Sequence, residues 1–159
     1  LSAFSKTKKI QHIKPHGAMY NQAVNDPDLA KAICESILEF DDQVILLALT
    51  GSQWIKIAEQ MGLRVAREVF ADRAINSDGT LVPRSKDGSV IHDTSEVIER
   101  SLRMVNDGVI ESIEGDLVAV EADSICLHGD TQGAVELSKS LKEEFTKSGI
   151  SILPLGEIV

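Results

Sequence analysis

The sequence is short of positive charge and of long apolar runs, and each shortage argues against a class of protein. It has 16 Lys and Arg against 25 Asp and Glu, a formal net charge of -9, which leaves little for a nucleic acid or an anionic membrane to bind. No run approaches the roughly 18 apolar residues of a membrane-spanning helix, and residues 1–9 contain no signal-peptide core. We therefore expect a cytoplasmic protein that contacts neither nucleic acid nor membrane.

Cysteine is equally sparse. Cys34 in a predicted helix and Cys126 in a predicted strand are the two cysteines, and they lack the spacing of a metal motif or a disulfide framework. We expect both to be buried free thiols. The sequence also has no internal repeat or interdomain linker. Its 159 residues, 43% of them apolar, suffice for one domain spanning residues 1–159.

The sequence does contain a regular alternation of strand and helix patterns. Apolar segments of strand length are predicted at 9–13, 43–49, 63–70, 124–129 and 150–153. Helical patterns lie between them, with predicted N-caps at Asp26, at Asp93 and at either Asp130 or Thr131. Residues 109–122 predict a hairpin, whereas 16–25 and 71–92 are predicted as loops. The alternation predicts an α/β fold around a parallel sheet.

Rows of polar side chains stand where three of the predicted strands end. Alternate residues of an extended chain share a face, which defines the rows His12, Lys14 and His16; Glu68 and Asp72; and Cys126, His128 and Asp130. The carboxyl ends of strands are where α/β enzymes hold their catalytic groups. We interpret the rows as parts of one active site, with catalytic candidates Lys14, His16, Glu68, Asp72, His128 and Asp130.

The first row leaves several roles open. His16 could act as a general base, a metal ligand or a hydrogen-bond donor, and a structural loop histidine is the plainer alternative. His16, Asp72 and His128 are ligand types that suit zinc, but they lie too far apart in the sequence to indicate a metal by spacing. Tyr20 and Asn21 could contact substrate or only shape a turn.

The second row includes a carboxylate beside arginine. Asp72 could activate water or hold a proton, and Arg73 or Arg84 could bind a carboxylate or phosphate through a forked contact. Alternatively, Asp72 pairs with a local arginine and only pins the loop.

The third row lies at the start of a predicted helix. Gly129 and Thr131 stand where a strand meets a helix N-terminus, which favours an anion, although no Walker A motif follows. His128 and Asp130 are the stronger signal, because a buried strand seldom ends in both unless they are partnered. We interpret them as an acid–base pair.

Three segments together resemble a known family. They are KPHGAMYN at 14–21, FADRAINSDGTLVPR at 70–84 and CLHGDTQGAV at 126–135. In this order they resemble the signature blocks of the LamB/YcsF family, from about His12 to the last predicted strand. The resemblance implies an irregular, seven-stranded (β/α) barrel of the glycoside hydrolase/deacetylase type. Gln132 stands where the family usually has proline, a mild change at a helix N1 position.

The resemblance also implies an activity. It is the ATP-dependent opening of the lactam of 5-oxoproline to glutamate, carried out with two other 5-oxoprolinase subunits and with ATP as co-substrate. A divalent metal and a homo-oligomer are left open. The matching blocks point to Lys14, His16, Asn21, Glu68, Asp72, Arg73, Arg84, His128, Gly129, Asp130 and Thr131. Family members have roughly 250 residues and begin with motif blocks absent here, so we expect the C-terminal two thirds of such a barrel.

Two other functions fit the same residues. The histidines and the related barrel fold would suit a metal-dependent deacetylase or amidohydrolase that acts on a carbohydrate or another small amide. The polar loops could instead only dock partner subunits, as a non-catalytic module. A stoichiometric divalent ion on metal analysis would support the deacetylase. Absence of small-molecule binding would support the docking module.

Overall fold

A four-stranded parallel sheet forms the centre of the computed structural model, which describes residues 2–7, 9–129 and 133–159. Its strands are β1 (His12–Ile13), β2 (Ile45–Leu49), β3 (Arg64–Phe70) and β6 (Ser124–Cys126), side by side in that order. An antiparallel hairpin is formed by β4 (Val109–Glu111) and β5 (Leu117–Ala119). The α-helices are α1 (Gly17–Ala23), α2 (Pro27–Phe40), α3 (Gln53–Gln60), α4 (Thr94–Asn106) and α5 (Ala134–Lys147), and short 3-10 helices span Ser2–Phe4 and Leu155–Glu157.

Strand β2 shows why the sheet lies at the centre. All five of its residues are buried, as expected for a continuous apolar run in a parallel strand that is covered on both faces. Leu46 and Ala48 belong to the cluster that α2 and α3 form against the sheet. Ile45 and Leu47 belong to a smaller cluster, against which Leu155 packs.

The strand register brings the polar strand ends together. In β3, Glu68 is paired with Leu49 of β2, and Phe70 is paired with Cys126 of β6. Because β1, β2, β3 and β6 are parallel, their carboxyl ends lie along one edge of the sheet. The residues that follow β3 and β6 are therefore neighbours in space, and those that follow β1 lie across β2 from β3 at the same end of the sheet.

Local hydrogen bonds define where three helices begin. Asp26 accepts hydrogen bonds from two backbone N–H groups in the first turn of α2. Asp93 accepts one from the backbone N–H of Glu96 at the start of α4, and Ser52 caps α3 in the same way. The caps predicted at Asp26 and Asp93 are confirmed.

Segment 16–25, which the sequence predicts as a loop, contains helix α1. The prediction is wrong because a seven-residue helix shows less than two turns of periodicity. Tyr20 and Ala23, three positions apart and therefore on one face, are the buried residues of α1. Their burial against the main core stabilises a helix that would be marginal alone.

The C-terminal part differs from the prediction in two places. Helix α5 has Gly133 as its N-cap, with a φ of 80°, so the cap predicted at Asp130 or Thr131 is wrong; these two residues lie outside the described ones. Residues 150–153, predicted as a last strand, pair with no strand in the described part of the chain. Ile152 and Leu153 of this run are exposed, at 58% and 48%, because an apolar run forms a buried strand only where a neighbouring strand pairs with it.

The α/β expectation is confirmed, and the parallel strands are in chain order, apart from the inserted hairpin. Closure into a seven-stranded barrel stays a prediction. Among the described residues, no helix is long and apolar enough to cross a membrane.

Candidate active site

A cleft of about 750 Å³ opens at the carboxyl ends of the parallel strands. It brings together residues from the three predicted rows and from the long loop after β3. The predicted site residues that line it are Lys14, His16, Asn21, Arg73, Arg84, His128 and Gly129. Two further predicted residues, Glu68 and Asp72, are buried beneath it, at 2% and 0% exposure. Asp130 and Thr131 lie outside the described residues.

Glu68 holds the ammonium group of Lys14. The Lys14 Nζ donates to Glu68 Oε1 at 2.7 Å, and the Tyr20 hydroxyl donates to Glu68 Oε2 at 2.9 Å. Burial by itself would lower the pKa of Lys14, but the hydrogen bond and charge of Glu68 outweigh burial, and the pKa is raised. Burial, and then the charge of Glu68, raise the pKa of Tyr20 as well. Lys14 is therefore a charged donor at neutral pH.

Cys126 lies on the other side of the same ammonium group. The Lys14 Nζ donates to Cys126 Sγ at 3.1 Å. Burial, and then the charge of Glu68, raise the pKa of the Cys126 thiol, and Lys14 opposes them only in part. Cys126 is half-buried and Cys34 is buried, and both are free. The free-thiol prediction is confirmed, although Cys126 lines the cleft.

Asp72 and His128 form the second pair of the site. His128 Nδ1 lies 2.9 Å from Asp72 Oδ1 and 3.1 Å from Oδ2, and the His128 backbone N–H also points to this carboxylate. The imidazole ring stacks on Phe70, with ring centroids 5.8 Å apart and an interplanar angle of 22°. A carboxylate that holds Nδ1 leaves Nε2 for a substrate or water, which is the geometry of a histidine base oriented by aspartate.

Arg73 pins the loop that forms one wall of the cleft. Its Nε donates to the Ser89 carbonyl at 3.2 Å, and a terminal nitrogen donates to the Val82 carbonyl at 2.6 Å. Burial, and then the charge of Arg84, lower the pKa of Arg73, and Asp72 opposes this shift. The alternative in which Asp72 pairs with a local arginine to stabilise the loop differs from this arrangement, because Arg73 bonds to backbone carbonyls of the loop and Asp72 bonds to His128.

His16 and Asn21 lie at the open side of the cleft. His16 is exposed and precedes α1 without a side-chain capping bond, so its imidazole is accessible from solvent. The described residues contain no group of three or more His, Cys, Asp or Glu side chains placed to hold a metal ion. A divalent metal stays the open possibility that the sequence left, and the proposed reaction uses none.

The sequence does not single out two aromatic residues of the site. Tyr20, which it leaves between substrate contact and turn, bonds to Glu68, and Phe70 contacts both Tyr20 and His128. The spacing of Tyr20 and Ala23 is a weak helical signal for the buried face of α1. Strand alternation places Phe70 between Glu68 and Asp72, on the face of the polar row.

Comparison with known protein families identifies the family of the chain. The model of the LamB/YcsF family matches residues 1–159. The chain belongs to the LamB/YcsF family. A curated relative from Pyrococcus furiosus, named as one of the 5-oxoprolinase subunits, is 48% identical over 161 aligned positions, which cover 100% of this chain and 63% of the relative. A relative of the same name from Alkaliphilus metalliredigens is 45% identical, and the match again covers 100% of this chain and 63% of the relative.

A solved structure supports the fold. The crystal structure of the lactam utilization protein from Thermus thermophilus superposes with a TM-score of 0.85 and 38% identity, and the match covers 95% of this chain and 61% of that protein. The fold is thus mixed α/β with a curled parallel sheet, a half-barrel. The chain spans less than two thirds of the length of these relatives.

Proposed function

We propose that this chain is part of a 5-oxoprolinase subunit, which opens the lactam of 5-oxoproline to glutamate with ATP hydrolysis and acts with two other subunits. The observation that carries the proposal is the pair of buried carboxylates beneath the cleft. Glu68 holds an ammonium group and Asp72 holds an imidazole, at 2.7 and 2.9 Å. The names of the relatives supply the substrate class, since they refer to 5-oxoprolinase and to lactam utilization.

A lactam resists direct hydrolysis, so the proposed route activates its carbonyl group first. The carbonyl oxygen attacks the γ-phosphorus of ATP, and ADP leaves. Water then adds to the phosphorylated carbon and gives up a proton to a base. The ring C–N bond breaks, the nitrogen is protonated and leaves as the amine, and an acyl phosphate remains. A second water hydrolyses this acyl phosphate to the glutamate carboxylate and inorganic phosphate.

We assign these roles to three groups of the cleft. His128 is the base for the attacking water, because Asp72 holds its Nδ1 and leaves Nε2 available. Lys14 donates to the oxygen on which negative charge develops. Asp72 is fully buried, so in this route it acts through His128, and His16 at the open side of the cleft is the alternative base.

Turnover in the reconstituted enzyme tests the proposal. The protein is assayed with its partner subunits for ADP formation that depends on 5-oxoproline. Because a positioned base contributes about 10²- to 10⁴-fold, we expect His128→Ala and Asp72→Asn each to lower kcat by at least about 100-fold. Matched controls are His92→Ala and Asp87→Asn, which change exposed residues outside the cleft and should leave kcat unchanged.

Other outcomes would favour the other functions. If both cleft variants keep wild-type turnover, the assignment of the site is wrong. Amide hydrolysis that needs a stoichiometric divalent ion, and is lost with a chelator, would favour a metal-dependent deacetylase. If neither 5-oxoproline nor ATP shifts the melting temperature of the intact protein, a docking module is favoured.

A further inference from the structure

We propose that Tyr20 and Cys126 are positioning residues for Lys14, and that with Glu68 they hold its ammonium group in the cleft as a permanent donor to an anionic oxygen of the ligand. The identity of that ligand rests on the proposed function. The arrangement of the four side chains does not.

The first argument is the number of donors on Lys14. An ammonium group has three N–H bonds, and Glu68 Oε1 and Cys126 Sγ accept two of them, at 2.7 and 3.1 Å. The nitrogen also lies 5.1 Å from the ring centroid of Phe70 and 5.5 Å from that of Tyr20, within the range of cation–π attraction. These contacts fix the nitrogen on the wall of the cleft and leave one N–H for a ligand.

The second argument is the way in which Tyr20 holds Glu68. The Tyr20 hydroxyl donates a hydrogen bond to Glu68 Oε2 at 2.9 Å, and Lys14 donates to Oε1, so both oxygens of this buried carboxylate have a partner. The ring itself is wedged edge-on between Trp54 and Phe70, at centroid distances of 5.6 and 5.8 Å. A ring packed on two sides allows little displacement of its hydroxyl oxygen. Tyr20 therefore determines the orientation of Glu68, and through it the position of Lys14.

The third argument concerns the state of Cys126. Burial and the nearby carboxylate Glu68 favour the neutral thiol, so Cys126 contacts Lys14 as a neutral acceptor at neutral pH. A thiolate would neutralise the ammonium charge and weaken its attraction for an anion. Burial and Glu68 thus outweigh the contact with Lys14, which lowers the pKa of the thiol, and the ammonium keeps its positive charge beside a neutral thiol.

The substrate-free test observes the Lys14 ammonium group by ¹⁵N NMR in the intact protein. Wild type should show a resolved, slowly exchanging Lys14 Nζ resonance, and Tyr20→Phe and Cys126→Ala should broaden it or remove it. Cys126→Ser keeps an acceptor and should restore it. Lys147, whose exposed Nζ lies 2.6 Å from Glu144, is the internal control and should give no slowly exchanging signal in any variant.

The kinetic test uses the reconstituted enzyme with 5-oxoproline and ATP. We expect kcat to fall about tenfold in Tyr20→Phe and in Cys126→Ala, the effect of one lost hydrogen bond, while KM changes less than about threefold. Cys126→Ser should recover most of kcat. Glu68→Gln should move the basic limb of the kcat profile to lower pH, because burial lowers the pKa of Lys14 and the charge of Glu68 no longer opposes it; the contact with Cys126 is a smaller opposing contribution.

The outcomes separate this proposal from the proposed function. An unchanged Lys14 resonance in Tyr20→Phe and Cys126→Ala overturns the positioning roles, whatever the enzyme does. If the Lys14 resonance changes in the variants as expected but the reconstituted wild-type enzyme does not turn over 5-oxoproline, the proposed function is rejected and the positioning roles are supported. If Tyr20→Phe fails to fold, the comparison of Cys126→Ala with Cys126→Ser decides.

Discussion

Arg67 and Glu68 are neighbours on β3 and face opposite sides of the sheet, and their surroundings differ sharply. The Arg67 guanidinium contacts three carboxylates, Glu59 at 2.7 Å, Glu121 at 3.0 Å and Asp123 at 3.4 Å, and is 29% exposed. Glu68 contacts one ammonium group and one hydroxyl and is 2% exposed. The larger number of ionic contacts therefore surrounds the more exposed of the two residues.

This comparison shows that the number of ion pairs does not locate the site. A partly exposed pair gains little because water and salt screen it. A buried carboxylate loses its hydration and must be fully bonded, so its partners are fixed in position. Fixed, charged groups at the wall of a cleft are what acid–base and phosphoryl chemistry require. The predictions below contrast the two sides, from the largest effect to the smallest.

Glu68→Ala should have the largest effect. It leaves the Lys14 ammonium and the Tyr20 hydroxyl without their acceptor, which should cost about 3 kcal/mol in the free energy of unfolding. Urea unfolding measures this. The folded-state pKa of Lys14 is raised above 10.5, so the contribution of Lys14 is fully present below that pH and is lost as the pH rises through the higher folded value. A loss below about 1 kcal/mol would show that the pair behaves like a surface pair.

Asp72→Asn should have the second-largest effect on the free energy of unfolding. The buried side chain keeps its shape but loses the charge that holds His128 Nδ1, and we expect a loss of about 2 kcal/mol. The ¹⁵N resonances of the imidazole should also shift, because the favoured tautomer changes. A variant with wild-type unfolding and unchanged imidazole resonances would mean that Asp72 does not orient His128.

Arg67→Met tests the partly exposed ion pairs. Three carboxylates lose their common partner, yet solvent screens them, so we expect a loss of about 1 kcal/mol. The difference from wild type should shrink in about 1 M salt. Urea titrations at low and high salt measure it. A loss as large as that of Glu68→Ala would show that the partly exposed contacts of Arg67 stabilise the fold as much as the buried contacts of Glu68.

Lys147→Met should have the smallest effect. Lys147 Nζ lies 2.6 Å from Glu144 and Lys14 Nζ lies 2.7 Å from Glu68, so the two pairs match in distance and differ in burial. We expect no measurable shift of the urea midpoint for Lys147→Met, whereas Lys14→Met should shift it clearly. Equal shifts would show that distance, rather than burial, determines the strength of these pairs.

The local sequence pattern determined several of the strands and helix starts. The continuous apolar run of β2 indicated a strand covered on both faces, and Asp26 and Asp93 indicated where helices begin. The same pattern failed at α1, whose two turns are too short for periodicity, and at 150–153, where a strand requires a neighbour.

The sequence by itself also determined which polar side chains stand at strand ends, because alternation and chain breaks are local properties. Only the tertiary structure decided which of them touch. Lys14 and Glu68 are 54 positions apart, and Asp72 and His128 are 56 apart. Their contact depends on the register of parallel strands, which long-range packing determines. The same packing buries Glu68 and leaves Arg67 partly in water, although the two residues are adjacent in the chain.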